Sequence, residues 1–383
     1  MNAAAKPYDG QNKYIRITDI DETSSTYNNE DVVSPDGTLS ENYMVNERDI
    51  LLARTGASTG KSYLYRKSDG KLYFAGFLIR ANVAEHNPYF VFSQLHTHRY
   101  WRWVSIMSAR SGQPGINSQE YASFPIFTTT LIEENKISTL LSLIDERIAT
   151  QNKIIEKYES LIQAMCDTLI GKKTQQVMLS FNDFGESYSG LSGKSAEDFG
   201  EGSPYITYMN VYQNQIIDIT DIGLVKINKT EQQSLVQYGD ILFTLSSETP
   251  EEVGMGAVYL GETYPLYLNS FCFGIHITDE SKIFPPFLAY YVSSESFRKA
   301  VFPLAQGSTR FNLQKGDFLK KVFPFPAIEQ QRKIYSILKT YSDKLNIEKQ
   351  MIKLLCCQKQ YLLRQLFISL IPQHYYKIFF LST

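Results

Sequence analysis

The chain has 383 residues, 43% of them hydrophobic and 20% charged, with a net charge of −2. This length predicts two or three domains with cores of their own, and the near-neutral charge argues against a generally basic nucleic-acid binder. No apolar run approaches the roughly 18 residues that span a bilayer, and the N-terminus lacks an apolar signal segment. Four cysteines without a Cys-x-x-Cys spacing predict neither a zinc site nor a disulfide framework. We therefore expect a cytoplasmic protein with no contact to a membrane.

The segment 1–130 has the composition of short strands separated by turns. The strand-like segments are residues 14–17, 49–52 and 71–74. Turn sequences at residues 34–37 and 68–70 separate them. Asn87-Pro88 predicts the start of one amphipathic helix that extends to about residue 106. A glycine-rich loop at residues 111–117 and a Phe-Pro pair at residues 124–125 follow.

Residues 131–170 contain the first of two heptad patterns, and adding 197 to these numbers reaches the second. Apolar residues recur at steps of four and three, which predicts two long helices with hydrophobic seams. The predicted seam consists of Ile137, Leu141, Ile144, Ile148, Ile155, Ile162 and Leu169 in the first helix, and Ile334, Leu338, Leu345, Ile352, Leu355, Leu362 and Leu366 in the second. Residues 131–170 are acidic on balance and residues 327–383 are basic, which favours pairing of the two helices with each other.

The second half of the chain repeats the first. Tyr205-Ile206 follows Tyr14-Ile15 at an offset of 191, Asp240-Ile241-Leu242 follows Asp49-Ile50-Leu51 at the same offset, and the loop at 307–312 matches 112–117 at 195. A period this long indicates duplicated domains, because solenoid repeats span about 20–50 residues. The predicted division is residues 1–130 for a first globular domain, 131–171 for a helix, 172–326 for a second globular domain, 327–368 for a helix, and 369–383 for a tail. The first domain is expected to be shortened at its N-terminus, and the tail has no evident counterpart.

Motifs that could carry catalysis are incomplete. The segment Gly56 to Ser62 (GASTGKS) resembles a phosphate-binding loop, but it has three residues between its glycines where four are needed. A strand-like sequence follows it, so a loop between strands is the favoured interpretation. Two methyltransferase-like fragments, FGEG at 199–202 and NPYF at 87–90, stand in reversed order in different domains. His96 and His98 point to different faces of a helix. We therefore predict no active site, no cofactor and no metal.

Cationic and polar side chains at similar places in the two halves are candidate DNA contacts. These candidates are Arg54, Lys61, Arg99, Arg102, Arg110, Gln113, Lys194, Arg298, Lys299, Ser308, Thr309 and Arg310. Arginine is suited to phosphates and to guanine edges in the major groove. For the basic and aromatic cluster at residues 96–103, an amphipathic helix with aromatic side chains in the core and arginines in solvent remains an equal alternative.

Taken together, these features resemble the specificity subunit of type I restriction-modification systems. The resemblance rests on YIRITDI at residues 14–20, RDILL at 48–52, the glycine-rich loops, the Phe-Pro pairs, and IEQQRKI at 328–334. It implies an α+β fold with two β-rich target-recognition domains, each followed by a long helix, and with the two helices paired as an antiparallel coiled coil.

The resemblance also implies a function. Such a subunit is not catalytic: each recognition domain reads one half of a split site in double-stranded DNA, and the helix pair sets the spacer. Two methyltransferase subunits bind to it, and motor-nuclease subunits join for cleavage. Two alternatives are a coiled-coil scaffold protein without DNA specificity and, less favoured, a stand-alone DNA methyltransferase.

Overall fold

The structure is a computed structural model that describes residues 1–109, 112–171, 176–228, 230–262, 264–368 and 375–376. The chain forms two compact units. Unit 1 comprises Met1–Lys153 and Lys349–Thr383, and unit 2 comprises Ile154–Glu348. Both long helices, Leu131–Ile170 and Ile328–Ile368, contribute one part to each unit.

Unit 1 is built from short strands and three short helices among its described residues. The strands are Ala4–Pro7, Lys13–Ile15, Val33–Asp36, Asp49–Ala53, Ser62–Leu64, Leu72–Phe74, Leu78–Asn82, Ile126–Phe127 and Tyr375–Tyr376. The short helices are Pro88–Gln94, His98–Met107 and Ser118–Ala122. Asp49–Ala53 is the central strand of an antiparallel sheet, and its residues are all buried. Lys13–Ile15 pairs in parallel with Leu72–Phe74.

Unit 2 repeats this plan with additional strands among its described residues. Its strands are Gln176–Leu179, Gly185–Ser189, Phe199–Ile206, Ile222–Val225, Ile241–Thr244, Ser246–Ser247, Gly256–Val258, Tyr267–Leu268, Cys272–Ile277, Ala305–Gln306, Phe311–Leu313 and Phe323–Pro326. Its short helices are Tyr208–Gln213, Pro285–Tyr291, Glu295–Val301 and Lys315–Lys320. Ile241–Thr244 is a fully buried inner strand, and Phe199–Ile206 pairs in parallel with Tyr267–Leu268.

The repeated Asp-Ile-Leu motif has a structural cause in both units. Asp49 accepts hydrogen bonds from the Asn46 backbone N–H and the Asn82 side chain, both at 2.8 Å. Asp240 accepts one from the Gln237 backbone N–H at 2.8 Å and a second from the Tyr188 hydroxyl at 2.7 Å. Burial raises the pKa of both carboxyl groups. Each aspartate therefore holds the turn that leads into the central strand, which explains why the motif occurs twice.

The prediction of a single amphipathic helix over residues 89–106 is wrong in one respect. The structure has two helices there, Pro88–Gln94 and His98–Met107, and the Thr97 side chain caps the second by accepting from the Tyr100 backbone N–H. Unit 2 has the same break, with Ser294 as the cap of Glu295–Val301. A threonine or serine that caps a new helix start competes with continuation of the preceding helix.

The two long helices pack antiparallel in each unit, which confirms the predicted fold class. In unit 1, Ile137 and Leu141 near the start of the first helix share a core with Leu363 and Phe367 near the end of the second. In unit 2, Cys166 and Ile170 near the end of the first helix share a core with Ile334 and Leu338 near the start of the second. Each end of one helix thus packs beside the opposite end of the other.

The side chains of the predicted seam all lie out of solvent to some degree. Ile137, Leu141, Ile162, Ile334 and Leu338 are buried, and the other nine positions are half-buried. The heptad pattern missed a second stripe that is also buried. This stripe consists of Cys166, Ile170, Leu363 and Phe367. These residues lie at the helix ends, where the helices contact the globular part of each unit as well as each other.

A buried polar residue near the start of each long helix holds the chain that precedes the short helix Pro88–Gln94 or its equivalent Pro285–Tyr291. Glu134 accepts hydrogen bonds from the His86 ring at 2.8 Å and from the Asn87 backbone N–H at 2.9 Å. Gln331, the equivalent residue of the second long helix, accepts from the Phe284 backbone N–H at 2.9 Å. Both side chains have no exposed surface. The same position therefore performs the same structural task in both copies, with a carboxylate in one and an amide in the other.

The tail has a counterpart after all, which corrects the expectation from the sequence. Tyr375 pairs with Phe127 and Tyr376 with Ile126. In unit 2, Phe323 and Pro324 pair with Leu179 and Met178 in the strand that follows the first long helix. Adding 197 to 126, 127, 178 and 179 gives 323, 324, 375 and 376, so the tail strand is the equivalent of Gln176–Leu179. The similarity was hidden because the two short segments share no residue pattern. Residues 369–374 and 377–383 lie outside the described residues.

Among the residues that the structure describes, no helix is long and apolar enough to cross a membrane.

Candidate nucleic-acid interface

In unit 1, two loops meet at the end of the central strand. Arg54 follows this strand, and its carbonyl accepts a hydrogen bond from the Ile116 backbone N–H at 2.9 Å. Gly56 adopts φ +72°, and a Cβ at Gly56 would lie 3.0 Å from Gln113 Nε2. Arg54 and Gln113 are exposed. The segment Gly56 to Ser62, which resembles a phosphate-binding loop, forms a short 3-10 turn, Gly56–Ser58, and then enters the strand Ser62–Leu64. The interpretation of this segment as a loop between strands predicts this arrangement.

Unit 2 has the same junction. Ser246 pairs with Asn312 and Ser247 with Phe311, and the Leu313 backbone N–H donates to the Leu245 carbonyl at 2.8 Å. This bond is the counterpart of that between Ile116 and Arg54. The offset between equivalent residues of the two loops is therefore 197, and the offset of 195 inferred from their glycines is wrong.

This register makes Arg310 the counterpart of Gln113. Ser308, Thr309 and Arg310 are exposed, and the Arg310 guanidinium lies 5.5 Å from the centre of the Phe271 ring. The structure therefore brings a polar or cationic side chain to the same place in both units.

Aromatic side chains beside the unit 2 junction were missed by the sequence reasoning. Tyr208 and Tyr212 stack with ring centres 5.9 Å apart, and the Tyr208 hydroxyl donates to the Ser246 carbonyl at 2.7 Å. Phe271 is 54% exposed. Hydrogen bonds from the hydroxyls of Tyr212, Thr249 and Ser247 lower the pKa of Glu252. The signal that could have found the pair is the spacing of two tyrosines by four residues, which places them on one helix face.

Two of the unit 1 candidates have partners within the protein. Lys61 Nζ lies 2.6 Å from Glu22 Oε1. The Arg99 guanidinium donates to the Pro125 carbonyl and lies 4.0 Å from the centre of the Phe127 ring. Arg99 therefore supports the strand Ile126–Phe127. Arg102 is exposed, and Arg110 lies outside the described residues.

Three of the unit 2 candidates also have partners. Lys194, whose side chain is 3% exposed, lies 2.5 Å from Glu231. Arg298 donates to the carbonyls of Gly254, Glu251 and Val253, each at 2.7 Å, and burial lowers its pKa. Lys299 remains exposed and pairs with Glu295 one helical turn earlier at 2.5 Å. Lys194 and Arg298 therefore act inside the unit, because their hydrogen-bonding groups are already used there.

The basic and aromatic cluster at residues 96–103 divides along the helix. Tyr100 is buried, and Trp103 is half-buried with its ring centre 6.1 Å from that of Tyr100. Trp101 is 43% exposed. The interpretation of this cluster as an amphipathic helix with aromatic side chains in the core therefore holds for Tyr100 and Trp103. Only its exposed side, which includes Arg102, is available to a ligand.

The described part of the chain contains no group of three His, Cys, Asp or Glu side chains that could hold a metal ion. The junctions offer hydrogen-bond donors, a guanidinium, aromatic faces and a carboxylate. These groups suit recognition of base edges and backbone phosphates.

Comparisons with known proteins match this chain to DNA specificity subunits. Residues 178–355 match the family model described as the type I restriction modification DNA specificity domain. Across 331 residues, covering 80% of this chain and 75% of the relative, the chain is 24% identical to the type I restriction enzyme MjaVIII specificity subunit of Methanocaldococcus jannaschii. It is 27% identical over 137 residues to the EcoKI specificity subunit of Escherichia coli, which covers 36% of this chain and 29% of that relative.

Solved structures show the same fold. The type I restriction-modification S subunit from M. genitalium superposes with a TM-score of 0.55 at 17% identity, covering 94% of this chain and 90% of that one. A chain from a study of complex assembly and conformational transition of the type I R-M system has a TM-score of 0.55 at 14% identity, covering 96% and 95%.

The fold and the two equivalent junctions define a duplicated α+β protein. Residues 178–355 match the type I DNA specificity domain, and the chain as a whole is similar to specificity subunits of type I restriction-modification systems. This similarity supports the function of a DNA sequence-specificity subunit in such a system, and specificity subunits are themselves non-catalytic.

Proposed function

We propose that this chain reads a split site in double-stranded DNA, with one half-site for each recognition domain, residues 1–130 and 172–326. The observation that carries the proposal is the equivalence of the two junctions. Gln113 and Arg310 occupy the same position of the same loop in two copies of one fold. Two copies of one reading surface that carry different side chains suit two half-sites of different sequence.

Exposed junction residues are the proposed DNA contacts. In the first domain these are Arg54 and Gln113, and in the second Ser308, Thr309 and Arg310. Gln113 suits adenine and Arg310 suits guanine, because each can form a bidentate pair with that base. Arg102 and Lys299 lie on exposed helix faces and are proposed to contact phosphates, which position a protein without specifying sequence.

The long helices are proposed to set the spacer between the half-sites. They contain 40 and 41 residues, and at about 1.5 Å per residue each spans about 60 Å. One turn of DNA measures roughly 34–36 Å, so helices of this length can space two reading surfaces by one turn or more. We further propose that two methyltransferase subunits bind the assembled chain and that motor-nuclease subunits join for cleavage.

The test is to lengthen one helix and to map the methylated sites. Inserting four residues into the first long helix adds about 6 Å to it. Methylome sequencing of cells that carry the methyltransferase subunit and this variant should show both half-sites unchanged and a different spacer length.

A matched control inserts the same four residues after Gly37, an exposed turn glycine with φ +125°. Neither the half-sites nor the spacer should change there. An altered half-site with an unchanged spacer in the helix variant would contradict the proposal.

A further inference from the structure

A loop beside the unit 2 junction carries a carboxylate that the proposed function leaves without a role. The carboxylate belongs to Glu252, which ends the 3-10 turn that begins at Pro250. Its Oε2 lies 3.1 Å from the Ser247 hydroxyl. The hydroxyls of Tyr212, Thr249 and Ser247 donate to this carboxylate and lower its pKa. Glu252 is therefore ionised at neutral pH.

Arg298 holds the backbone of this turn on both sides of Glu252. The Arg298 guanidinium donates to the carbonyls of Glu251, Val253 and Gly254, each at 2.7 Å. A side chain whose backbone is fixed and whose carboxylate is held by hydroxyl groups loses little further freedom when it binds a ligand. Glu252 is therefore a preorganised hydrogen-bond acceptor.

Glu252 lies beside the proposed guanine contact. Ser247, which donates to Glu252, pairs with Phe311 in the neighbouring strand. Phe311 directly follows Arg310 in the chain. Burial raises the pKa of Tyr208, and the charges of Arg310 and Glu252 also act on this hydroxyl, in opposite directions. The basic and the acidic side chain therefore belong to one site.

The duplication shows that unit 1 has no carboxylate at the equivalent position. The offset between the units is 191 in the central strands and becomes 194 where Ser62–Leu64 corresponds to Gly256–Val258, so the intervening loop of unit 2 is three residues longer. Counted back from these strands, Glu252 corresponds to Ser58, and each residue ends a 3-10 turn. The two junctions therefore differ in one acidic group, as expected if they read different bases.

We propose that Glu252 is a specificity-determining residue that accepts a hydrogen bond from the amino group of a cytosine in the half-site read by the second domain. In the major groove cytosine presents an amino donor alone, whereas guanine and thymine present acceptors and adenine presents an acceptor beside its amino group. An ionised carboxylate attracts the amino group and repels the acceptors. This role of Glu252 rests on the proposed function and adds a second base to the one assigned to Arg310.

Methylome sequencing of cells that carry the methyltransferase subunit and variants of this chain tests this role. Arg310→Ala identifies the half-site of the second domain, because selection of its guanine is relaxed. Glu252→Gln should lower the preference for one cytosine of that same half-site about tenfold or more. Adenine should be accepted there, because an amide can pair with N6 and N7 of adenine. The other half-site and the spacer should not change.

Glu252→Ser, which introduces the residue of unit 1, is a second variant. It should lose the preference for cytosine without gaining one for adenine. The matched control is Glu251→Gln, which removes the same charge from the exposed neighbouring residue and should leave both half-sites as they are in the parent.

The role assigned to Glu252 is overturned if Glu252→Gln methylates the parent sequence with unchanged selectivity, or if Glu251→Gln alters that sequence as much. Absence of methylation with both Glu252 variants would show a structural role and would overturn it as well. A parent chain that directs methylation to no split site contradicts the proposed function itself.

Discussion

His96 shows how a single side chain of unit 1 is held in one protonation state. Its Nδ1 lies 3.0 Å from the Phe92 carbonyl and its Nε2 lies 3.0 Å from the Ser25 hydroxyl. A carbonyl can only accept, so Nδ1 carries the proton, and Nε2 accepts from Ser25. Burial, together with repulsion from Lys359, lowers the pKa of His96 to about 4. The folded protein therefore keeps this ring neutral.

The lowered pKa predicts acid sensitivity with a defined sign. In the unfolded chain a histidine has a pKa of about 6.5, so between pH 6.5 and 4 the unfolded state binds a proton that the folded state rejects. The contribution of neutral His96 to the free energy of unfolding is complete above pH 6.5. It is lost as the pH falls toward 4, at no more than about 1.4 kcal/mol per pH unit. Urea unfolding at pH 7.5 and pH 5 should show a smaller acid loss in His96→Gln than in the parent.

A control for this measurement is the exposed neighbour His98. His98→Gln should retain the full acid loss of the parent. Equal losses in His96→Gln and the parent would show that the acid sensitivity originates elsewhere.

At the scale of the elements, the two ends of the helix pair are not chemically equivalent. In unit 1, Lys359 Nζ lies 2.6 Å from Asp145 Oδ1, and the Tyr89 hydroxyl donates to the other carboxylate oxygen. Adding or subtracting 197 gives Ser342 and Ile162 as the corresponding residues of unit 2. One unit thus joins its helices with an ion pair where the other has neutral side chains. Pairing a helix with a second copy of itself would leave each charge opposite a neutral residue, which disfavours that arrangement.

The neutral pair in unit 2 suggests a direct test of this ion pair. Lys359→Ile leaves the half-buried carboxylate of Asp145 without its cation and should cost about 1–3 kcal/mol of unfolding free energy. Asp145→Ser/Lys359→Ile reproduces the combination present in unit 2 and should recover most of that loss. The measurement is urea unfolding followed by helical circular dichroism, analysed as a double-mutant cycle. A double variant no more stable than Lys359→Ile would contradict the assigned pairing.

At the scale of the whole molecule, several of the candidate cations in the described part of the chain already have partners inside the protein. Lys61 and Lys194 form ion pairs, and Arg99 and Arg298 bind carbonyl groups. The chain as a whole carries a net charge of −2. Affinity for DNA depends strongly on the number of counterions that cationic groups release. The chain alone is therefore poorly equipped for tight binding.

We accordingly predict weak DNA binding by the isolated chain and much tighter binding by its complex with a methyltransferase subunit. Fluorescence anisotropy with labelled duplex, measured across a salt titration, should give a shallow salt dependence for the chain alone and a steeper one for the complex. Tight, salt-insensitive and sequence-specific binding by the chain alone would contradict this. In the complex, a variant of the chain with Arg54→Ala and Arg310→Ala should bind DNA more weakly than the parent chain does.

The sequence by itself determined the duplication, the two long helices and the α+β fold class. Heptad spacing, Asp-Ile-Leu motifs and turn residues act over a few neighbouring positions, so their consequences can be read without knowing distant partners. The break at Thr97 and the buried stripe at Leu363 and Phe367 escaped this reading. A capping side chain and a second packing surface depend on what surrounds the helix.

Only the tertiary structure decided which candidate site residues are free and where the tail belongs. Lys194 meets Glu231, and Arg298 meets the carbonyls of the loop that contains Gly254, both far along the chain from their partners. Tyr375 pairs with Phe127 across most of the chain. Folding brings such partners together, and no local sequence pattern predicts these contacts. The physical reason is that local periodicity specifies elements, whereas the availability of a charge or a strand edge depends on contacts between residues far apart in sequence.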